Sequence, residues 1–142
     1  MSTEATQRYS IFVGQYGHPQ LTGARHWSIL VENVAQPTPW TGNTTVYEVT
    51  GSTNTYEYKN PYVKDLKQEP TFMGRILVGY VNAQRKETIG DVLSQVPITH
   101  GSLNWNCQNW VAAGLDALAR SGIQVRTFTQ PEMHTMLEDI RA

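Results

Sequence analysis

The chain has 142 residues, a formal net charge of −1 and a single cysteine. A chain of this length is most simply one domain that buries its own core. Hydrophobic residues make up 39% and charged residues 16%, a balance typical of a globular protein rather than a disordered one. The small net charge gives no electrostatic basis for binding nucleic acid. One cysteine cannot form an internal disulfide, so nothing in the composition indicates an oxidising compartment.

The polar N-terminus and the absence of long apolar runs bear on organisation and location. Residues 1–8 predict a flexible tail, and residues 9–142 predict a single domain. The N-terminal stretch lacks the apolar segment of a signal peptide, and no apolar run approaches the ~20 residues that span a bilayer. We therefore expect a cytoplasmic protein without a membrane span, whose oligomeric state the sequence does not fix.

The first part of the chain has the pattern of antiparallel strands separated by loops. The stretch HWSILVE, 26–32, is apolar on both faces and predicts a buried strand. Glycine and proline predict loops at 15–25 and 33–43 and a hairpin turn at 51–54. The predicted strands are 9–14, 26–32, 44–50, 55–59 and 72–81.

Helices dominate the last part of the chain. Thr88, three residues before Asp91, predicts the start of a short helix that stops at Pro97, and Thr129 with Glu132 predicts a capping box for the last helix. The longer helix between them has apolar residues at i, i+4 and i+7 and ends before a glycine: Val111, Leu115, Leu118 and Gly122. The predicted elements are helices at 88–96, 106–121 and 132–140 and a strand at 123–128. Strands followed by helices predict an α+β fold.

Cys107, the one cysteine, lies in the first turn of the longer predicted helix. Backbone N–H groups and the helix dipole stabilise a thiolate at such a position, and the same amides can stabilise an oxyanion. The residue alone leaves two other interpretations open, a small buried hydrophobe and a metal ligand. Four scattered histidines and one thiol have no paired spacing of the kind that binds zinc, so we predict no metal and no cofactor.

A thiol nucleophile needs a base, and histidine has a suitable pKa near neutrality. His26 opens the most apolar strand, and a strand holds an imidazole at a fixed distance better than a loop does. Glu48, inside the next predicted strand, can stand beside His26 and accept its second ring N–H if the two strands pair. The other histidines fit a loop, a turn and the exposed side of a helix: His18, His100 and His134.

The motif His26-Trp27-Ser28-Ile29, followed much later by Asn106-Cys107, resembles the lecithin–retinol acyltransferase-like group. These proteins are circularly permuted members of the NlpC/P60 papain-like superfamily. In that group a strand beginning His-Trp carries the base, and an Asn-Cys dipeptide at the start of a helix carries the nucleophile. The resemblance covers residues 9–121 and keeps the permuted order, histidine before cysteine. It implies a permuted papain-like fold with Cys107 as nucleophile and His26 as base.

The resemblance also implies a reaction, with one departure from the group's pattern. Glu48 stands where group members often have a second histidine, and a carboxylate can still accept the imidazole N–H. The implied activity is a cysteine-dependent hydrolase or acyltransferase that acts on an amide, ester or thioester carbonyl of a small molecule or peptide. Weaker candidates for oxyanion or substrate binding are Asn106, Gln108, Trp27 and Trp40.

Two alternatives stay open, and the first belongs to a different functional class. The first is a non-catalytic module in which tryptophans and tyrosines line a pocket for a small molecule. The second is a ubiquitin-like-protein isopeptidase, which needs a groove for an extended C-terminal peptide. The reactivity of Cys107 distinguishes the enzymes from the binding module, because only an enzyme needs an activated thiol.

Overall fold

The computed structural model describes residues 8–17, 25–33 and 44–141. Within these ranges the chain forms six strands and three helices, with two short 3₁₀ turns at Leu66–Gln68 and Ala83–Arg85. The strands are β1 (Arg8–Tyr16), β2 (His26–Asn33), β3 (Thr44–Thr50), β4 (Glu57–Lys64), β5 (Phe72–Asn82) and β6 (Gln124–Val125). The helices are α1 (Lys86–Leu93), α2 (Cys107–Arg120) and α3 (Gln130–Arg141).

The strands form one sheet in the order β4-β3-β2-β1-β5-β6, and every neighbouring pair is antiparallel. The interior position of β2 fits its sequence, since a strand that is apolar on both faces is covered on both. Pro61 has no N–H to donate and lies in β4, at an edge of this sheet, where a missing hydrogen bond is tolerated. The predicted α+β class, with an antiparallel sheet followed by helices, is confirmed.

The helices cover one face of the sheet and enclose the main core. Trp27, Ile29 and Val31, alternate residues of β2, are buried on this face. Gly114 lets α2 approach closely, because a Cβ there would lie 3.1 Å from Ile29 Cδ1. The predicted apolar stripe of α2 is confirmed, since its three residues are completely buried: Val111, Leu115 and Leu118. This packing fixes α2 against β2.

The opposite face of the sheet carries a smaller core and several buried polar groups. Glu32 is buried on this face and pairs with Arg75, whose guanidinium lies over the ring of Phe12. By the two-residue period of β2, His26 belongs to the same face as Glu32. The smaller core consists of Tyr16, Leu30, Val46 and Leu66. A carboxylate that is buried in a protein is normally paired with a hydrogen-bond donor or a positive charge, and Glu48, which is also buried, is expected to have such a partner.

Several strand boundaries differ from the prediction. The predicted tail, 1–8, lies outside the described residues except for Arg8, which begins β1. At its other end β1 continues through Tyr16, into the predicted loop, because Tyr16 pairs with His26. The strand predicted at 55–59 is Glu57–Lys64, since the N–H groups of Thr55 and Tyr56 still close the preceding turn. The strand predicted at 123–128 has only two residues, which pair with Gly79 and Tyr80 of β5.

The first helix also begins differently from the prediction. It starts at Lys86, and the predicted start at Thr88 is wrong. The preceding 3₁₀ turn is capped by Asn82, whose side chain accepts a bond from the Arg85 N–H, and it leads directly into the helix. Helix α2 ends at Arg120, one residue before the predicted end, and the predicted stop at Gly122 fits the structure, because this residue has a φ of 86° that favours glycine after a C-cap.

Helix α3 begins with the predicted capping box. Glu132 Oε1 accepts a bond from the Thr129 N–H at 2.8 Å, and Thr129 Oγ1 accepts one from the Glu132 N–H at 3.2 Å. Thr129→Ala is expected to lower the free energy of unfolding by about 1 kcal/mol, measured by urea denaturation. Thr135→Ala, inside the same helix, is the control and should change it by less than ~0.5 kcal/mol. Equal effects of the two substitutions would contradict the cap.

Parts of two predicted loops fall on the undescribed ranges. The loop predicted at 15–25 includes 18–24, and the connection predicted at 33–43 includes 34–43. His18 and Trp40 therefore lie outside the described residues.

Candidate active site

Cys107 is the first residue of α2 and is only 6% exposed. Asn106 caps the helix: its Oδ1 accepts a bond from the Gln108 N–H at 2.8 Å, and its own N–H donates to Asn109 Oδ1 at 2.9 Å. As the first helical residue, Cys107 has a backbone N–H without a carbonyl partner inside the helix. That N–H and the helix dipole favour negative charge at the sulfur or on an oxygen bound beside it.

The start of β2 supplies the groups that surround the thiol. The Trp27 N–H donates toward Cys107 Sγ at 3.5 Å, and the sulfur lies 3.8 Å from the carbonyl oxygen of Arg25. His26, the residue between them, lies close enough to Cys107 for the thiol to raise the pKa of the His26 ring. Packing of α2 against β2 therefore places an imidazole next to the only cysteine of the chain.

The His26 ring also contacts a buried carboxylate. His26 Nε2 lies 2.6 Å from Glu48 Oε1, so Nδ1 is the ring nitrogen that stays available for a second partner. The strand register explains this contact. Ile29 and Tyr47 are the last paired residues, so Glu48, the next residue of β3, and His26, three residues before Ile29 on β2, both point to the face opposite that of Ile29 and Tyr47. The structure thus brings together the three residues predicted as the catalytic set, Cys107, His26 and Glu48.

Tyr62 is a fourth member of this cluster, and the sequence did not indicate it. Its hydroxyl donates to Glu48 Oε2 at 2.5 Å, so both carboxylate oxygens of Glu48 are bonded. The Lys59 ammonium lies 4.2 Å from the centre of the Tyr62 ring. Tyr62 pairs with Val46, which shares a face of β3 with Glu48. A predicted β4 extending to residue 64 would have pointed to this tyrosine, whereas one ending at 59 did not.

Electrostatics favour a charged His26 and an ionised Glu48. Burial is the largest single effect on His26 and lowers its pKa, but hydrogen bonds to Cys107 and Glu48, together with their charges, raise it overall from 6.5 to about 9. For Glu48 burial is again the largest single effect, and it raises the pKa of this carboxyl group. Hydrogen bonds from His26 and Tyr62 and the nearby charges of His26 and Lys59 outweigh burial and lower this pKa overall. These effects favour the imidazolium form of the ring at neutral pH.

An open cleft of about 400 Å³ leads to the sulfur. Among the described residues, β2 and β3 pair only where 29–31 face 45–47, and the cleft opens beyond this point. Its described lining carries no carboxylate or ammonium group. The His26 side chain is 34% exposed and so accessible to a ligand. The lining residues are His26, Val49, Thr50, Gly51, Tyr56, Asn106 and Cys107.

The weaker candidates for oxyanion or substrate binding have different positions. Asn106 lines the cleft, and because its Oδ1 accepts from α2, its Nδ2 group is the end it can offer to a ligand. Gln108 does not fit the predicted role, because its buried amide bonds Arg25 and His134 instead of facing the cleft. Trp27 does not fit either, because it is completely buried in the core. Trp40 lies outside the described residues.

The two other described histidines bond elsewhere. His100 Nε2 lies 2.7 Å from the carbonyl oxygen of Tyr56, and His134 Nε2 lies 2.9 Å from Gln108 Oε1. In the described ranges no group of three or more cysteine, histidine or acidic side chains is arranged to hold a metal ion. None of the helices described is long and apolar enough to cross a membrane.

The fold and the site define an α+β domain in which a helix begins with a cysteine, an interior strand begins with a histidine, and the next strand supplies a buried carboxylate. A family model matches residues 11–124, and the chain belongs to that family, DUF6540, a family of unknown function. The matched range includes Cys107, His26 and Glu48. No curated protein and no solved structure matches the chain.

Proposed function

We propose that this protein is a cysteine-dependent hydrolase or acyltransferase that acts on an amide, ester or thioester carbonyl through a thioester intermediate. The observation that carries the proposal is the His26 ring, which lines one cleft together with Cys107 and lies, through Nε2, 2.6 Å from Glu48 Oε1. When an imidazole lies between a thiol and a buried hydrogen-bond acceptor, the imidazole activates the sulfur as a nucleophile and the acceptor orients the imidazole.

In the first half of the proposed reaction, the Cys107 thiolate attacks the substrate carbonyl carbon. The electron pair of the C=O bond moves onto oxygen, where the Cys107 N–H and Asn106 Nδ2 are the candidate donors. The intermediate collapses when His26 gives its Nδ1 proton to the departing amine, alcohol or thiol, which leaves an acyl thioester. Because the pKa of His26 is raised to about 9, its ring carries a proton when the thiolate attacks and acts as the acid in this half; it acts as the base expected from the sequence in the second half.

In the second half, water or an acceptor attacks the thioester and His26 takes up the proton that the attacker loses. The bond to sulfur breaks, and Cys107 leaves as the thiolate. Water gives a carboxylic acid, and an amine or alcohol gives a new amide or ester. Glu48 orients the ring and stabilises the imidazolium in both halves.

The finer fold assignment, a circularly permuted papain-like domain, belongs to the same proposal. It is supported by the chain order, since the strand with His26 precedes the helix with Cys107, and by the packing of that helix on the antiparallel sheet. A small-molecule or peptide substrate and a cytoplasmic location stay predictions from the sequence.

The two alternatives have less support. A binding module gives no reason for a carboxylate to orient a histidine beside a thiol, and two tryptophans that it needs for a pocket, Trp27 and Trp110, are completely buried. An isopeptidase would use the same thiol chemistry with a ubiquitin-like protein as substrate. A substrate panel that includes such a conjugate separates this reading from a small-molecule enzyme.

Alkylation with iodoacetamide tests the proposed ion pair. A thiol with the ordinary midpoint near 8.5 is only roughly 0.3% thiolate at pH 6. We expect wild-type Cys107 to react at pH 6 at least about tenfold faster than Cys107 in His26→Ala, because the imidazolium stabilises the thiolate. The rates are measured by intact mass, and the two proteins should converge near pH 10.

The matched control is His100→Ala, which removes a histidine near the cleft whose ring bonds the Tyr56 carbonyl rather than the sulfur. Its alkylation rate should stay within about twofold of wild type, since His100 makes no bond to the thiol. Slow alkylation of the wild type at pH 6, unchanged by His26→Ala, would refute the proposal and favour the binding module.

A further inference from the structure

Helix α2 carries a second buried polar side chain next to Cys107. Gln108 is 4% exposed, and both ends of its amide are bonded. Nε2 donates to the Arg25 carbonyl oxygen at 2.9 Å, and Oε1 lies 2.9 Å from His134 Nε2. Because a carbonyl only accepts, the NH₂ end must face Arg25, and His134 must therefore donate its Nε2–H to Oε1. The amide is paired at both ends, as a buried amide requires.

The Arg25 carbonyl that Gln108 holds is also a neighbour of the catalytic sulfur. It lies 3.8 Å from Cys107 Sγ, and the Trp27 N–H, two residues on, lies 3.5 Å from the same atom. The backbone on both sides of His26 thus touches the sulfur. The position of residues 25–27 therefore sets the distance between the His26 ring and Cys107.

Helix α3 is attached to the same three residues by further contacts. Glu138 Oε1 lies 2.7 Å from Arg25 Nη1, and the rings of Trp27 and His134 are 4.8 Å apart. The last helix, far from the cysteine in sequence, therefore supports the segment that carries the histidine. These contacts have no role in the reaction steps described above.

We propose that Gln108 is a positioning residue: through the Arg25 carbonyl it holds the His26 ring against Cys107, and His134 fixes the orientation of the Gln108 amide. This inference rests on the proposed function and adds Gln108 and His134 to it. Gln108→Met keeps the length of the side chain but neither hydrogen bond, so residues 25–27 lose their tie to α2. A displacement of about 1 Å at a catalytic group can cost up to about a hundredfold in rate.

The pH profile of iodoacetamide alkylation separates positioning from a purely structural role. For Gln108→Met we expect alkylation at pH 6 to fall about tenfold and alkylation near pH 10 to match wild type, since at high pH the thiolate forms without His26. For any ester substrate that the enzyme turns over, kcat should fall with little change in KM.

Two variants of the exposed His134 test its hydrogen bond to Gln108 Oε1. His134→Gln retains an N–H donor for Gln108 Oε1, whereas His134→Leu does not. We expect His134→Gln to alkylate at pH 6 within about twofold of wild type and His134→Leu to be about threefold slower, because only the leucine leaves the amide unpaired. Thr135→Ala, the neighbouring residue on α3, is the control for changes in the helix itself.

Three outcomes are distinguishable when His26→Ala is measured alongside. Loss of reactivity at pH 6 but not near pH 10 in Gln108→Met and His134→Leu, with retention in His134→Gln, supports the inference. Lower unfolding free energies with an unchanged pH profile would overturn it and leave the proposed function standing. A His26→Ala profile identical to wild type would overturn the proposed function, and the inference with it.

Discussion

Cys107→Ala is expected to abolish acylation of the protein by an activated ester. The chain has one cysteine, so any thioester formed on the protein lies at Cys107, and an acyl group that is hydroxylamine-sensitive in wild type and missing in Cys107→Ala identifies it. We expect loss of more than about a thousandfold in the rate of acylation, because removal of the nucleophile removes the covalent step itself. The measurement is intact mass after a brief reaction with p-nitrophenyl acetate, which adds one acetyl group per acylated molecule.

The fold should survive this substitution. Cys107 is buried at the start of α2, and alanine removes only its sulfur atom, so the free energy of unfolding should fall by about 1 kcal/mol or less. Urea denaturation of both proteins provides that control. Undiminished acylation of a folded Cys107→Ala protein would show that the ester reacts elsewhere, and the thioester mechanism would be wrong.

The sequence predicted the parts of the fold whose signals are local. β3 lies where predicted. The predicted bounds of α2 are correct to within one residue at each end, because residues next to the helix, Asn106 as cap and Gly122 as stop, determine where it begins and ends. β4 and β6 were misplaced for another reason. The length of β4 depends on its partner β3 along the sheet edge, and β6 is limited to the two residues that meet β5. Pairing across the sheet is tertiary information that a single strand does not contain.

The candidate site divides in the same way. Cys107 and His26 came from short motifs, and Glu48 came from the two-residue period of its strand together with an assumed pairing of strands. Tyr62 and the link from Gln108 to His134 depend on strand register and on how the last helix docks. No local sequence pattern indicates Tyr62 or the Gln108–His134 hydrogen bond, so both became apparent only in the three-dimensional structure. The structure therefore adds most to the sequence at residues that form hydrogen bonds with the candidate site residues or with the backbone next to them.

Glu48→Gln is expected to lower the free energy of unfolding by about 2 kcal/mol near pH 6, the usual contribution of a hydrogen bond to a charged group. Glu48 is 5% exposed and bonds His26 and Tyr62, whereas the His26 side chain is about one-third exposed, so solvent screens part of the attraction. The same substitution should slow alkylation of Cys107 at pH 6, because the imidazolium loses its buried counter-charge.

The pH dependence of that stability difference identifies its origin. The pKa of His26 is raised from 6.5 to about 9, so the charged ring stabilises the fold fully below pH 6.5, and this contribution is lost as the pH rises through 9. The pKa of Glu48 is lowered from 4.5, so its contribution is present above pH 4.5 and is lost as the pH falls through the lowered value. The difference in unfolding free energy between wild type and Glu48→Gln should therefore be largest between pH 4.5 and 6.5 and shrink toward pH 9.

The control is Glu57→Gln, which changes an exposed carboxylate on β4 and should show no such peak. A difference that stays constant from pH 5 to 9 would mean that His26 and Glu48 are not coupled, and the orienting role of Glu48 would have to be abandoned.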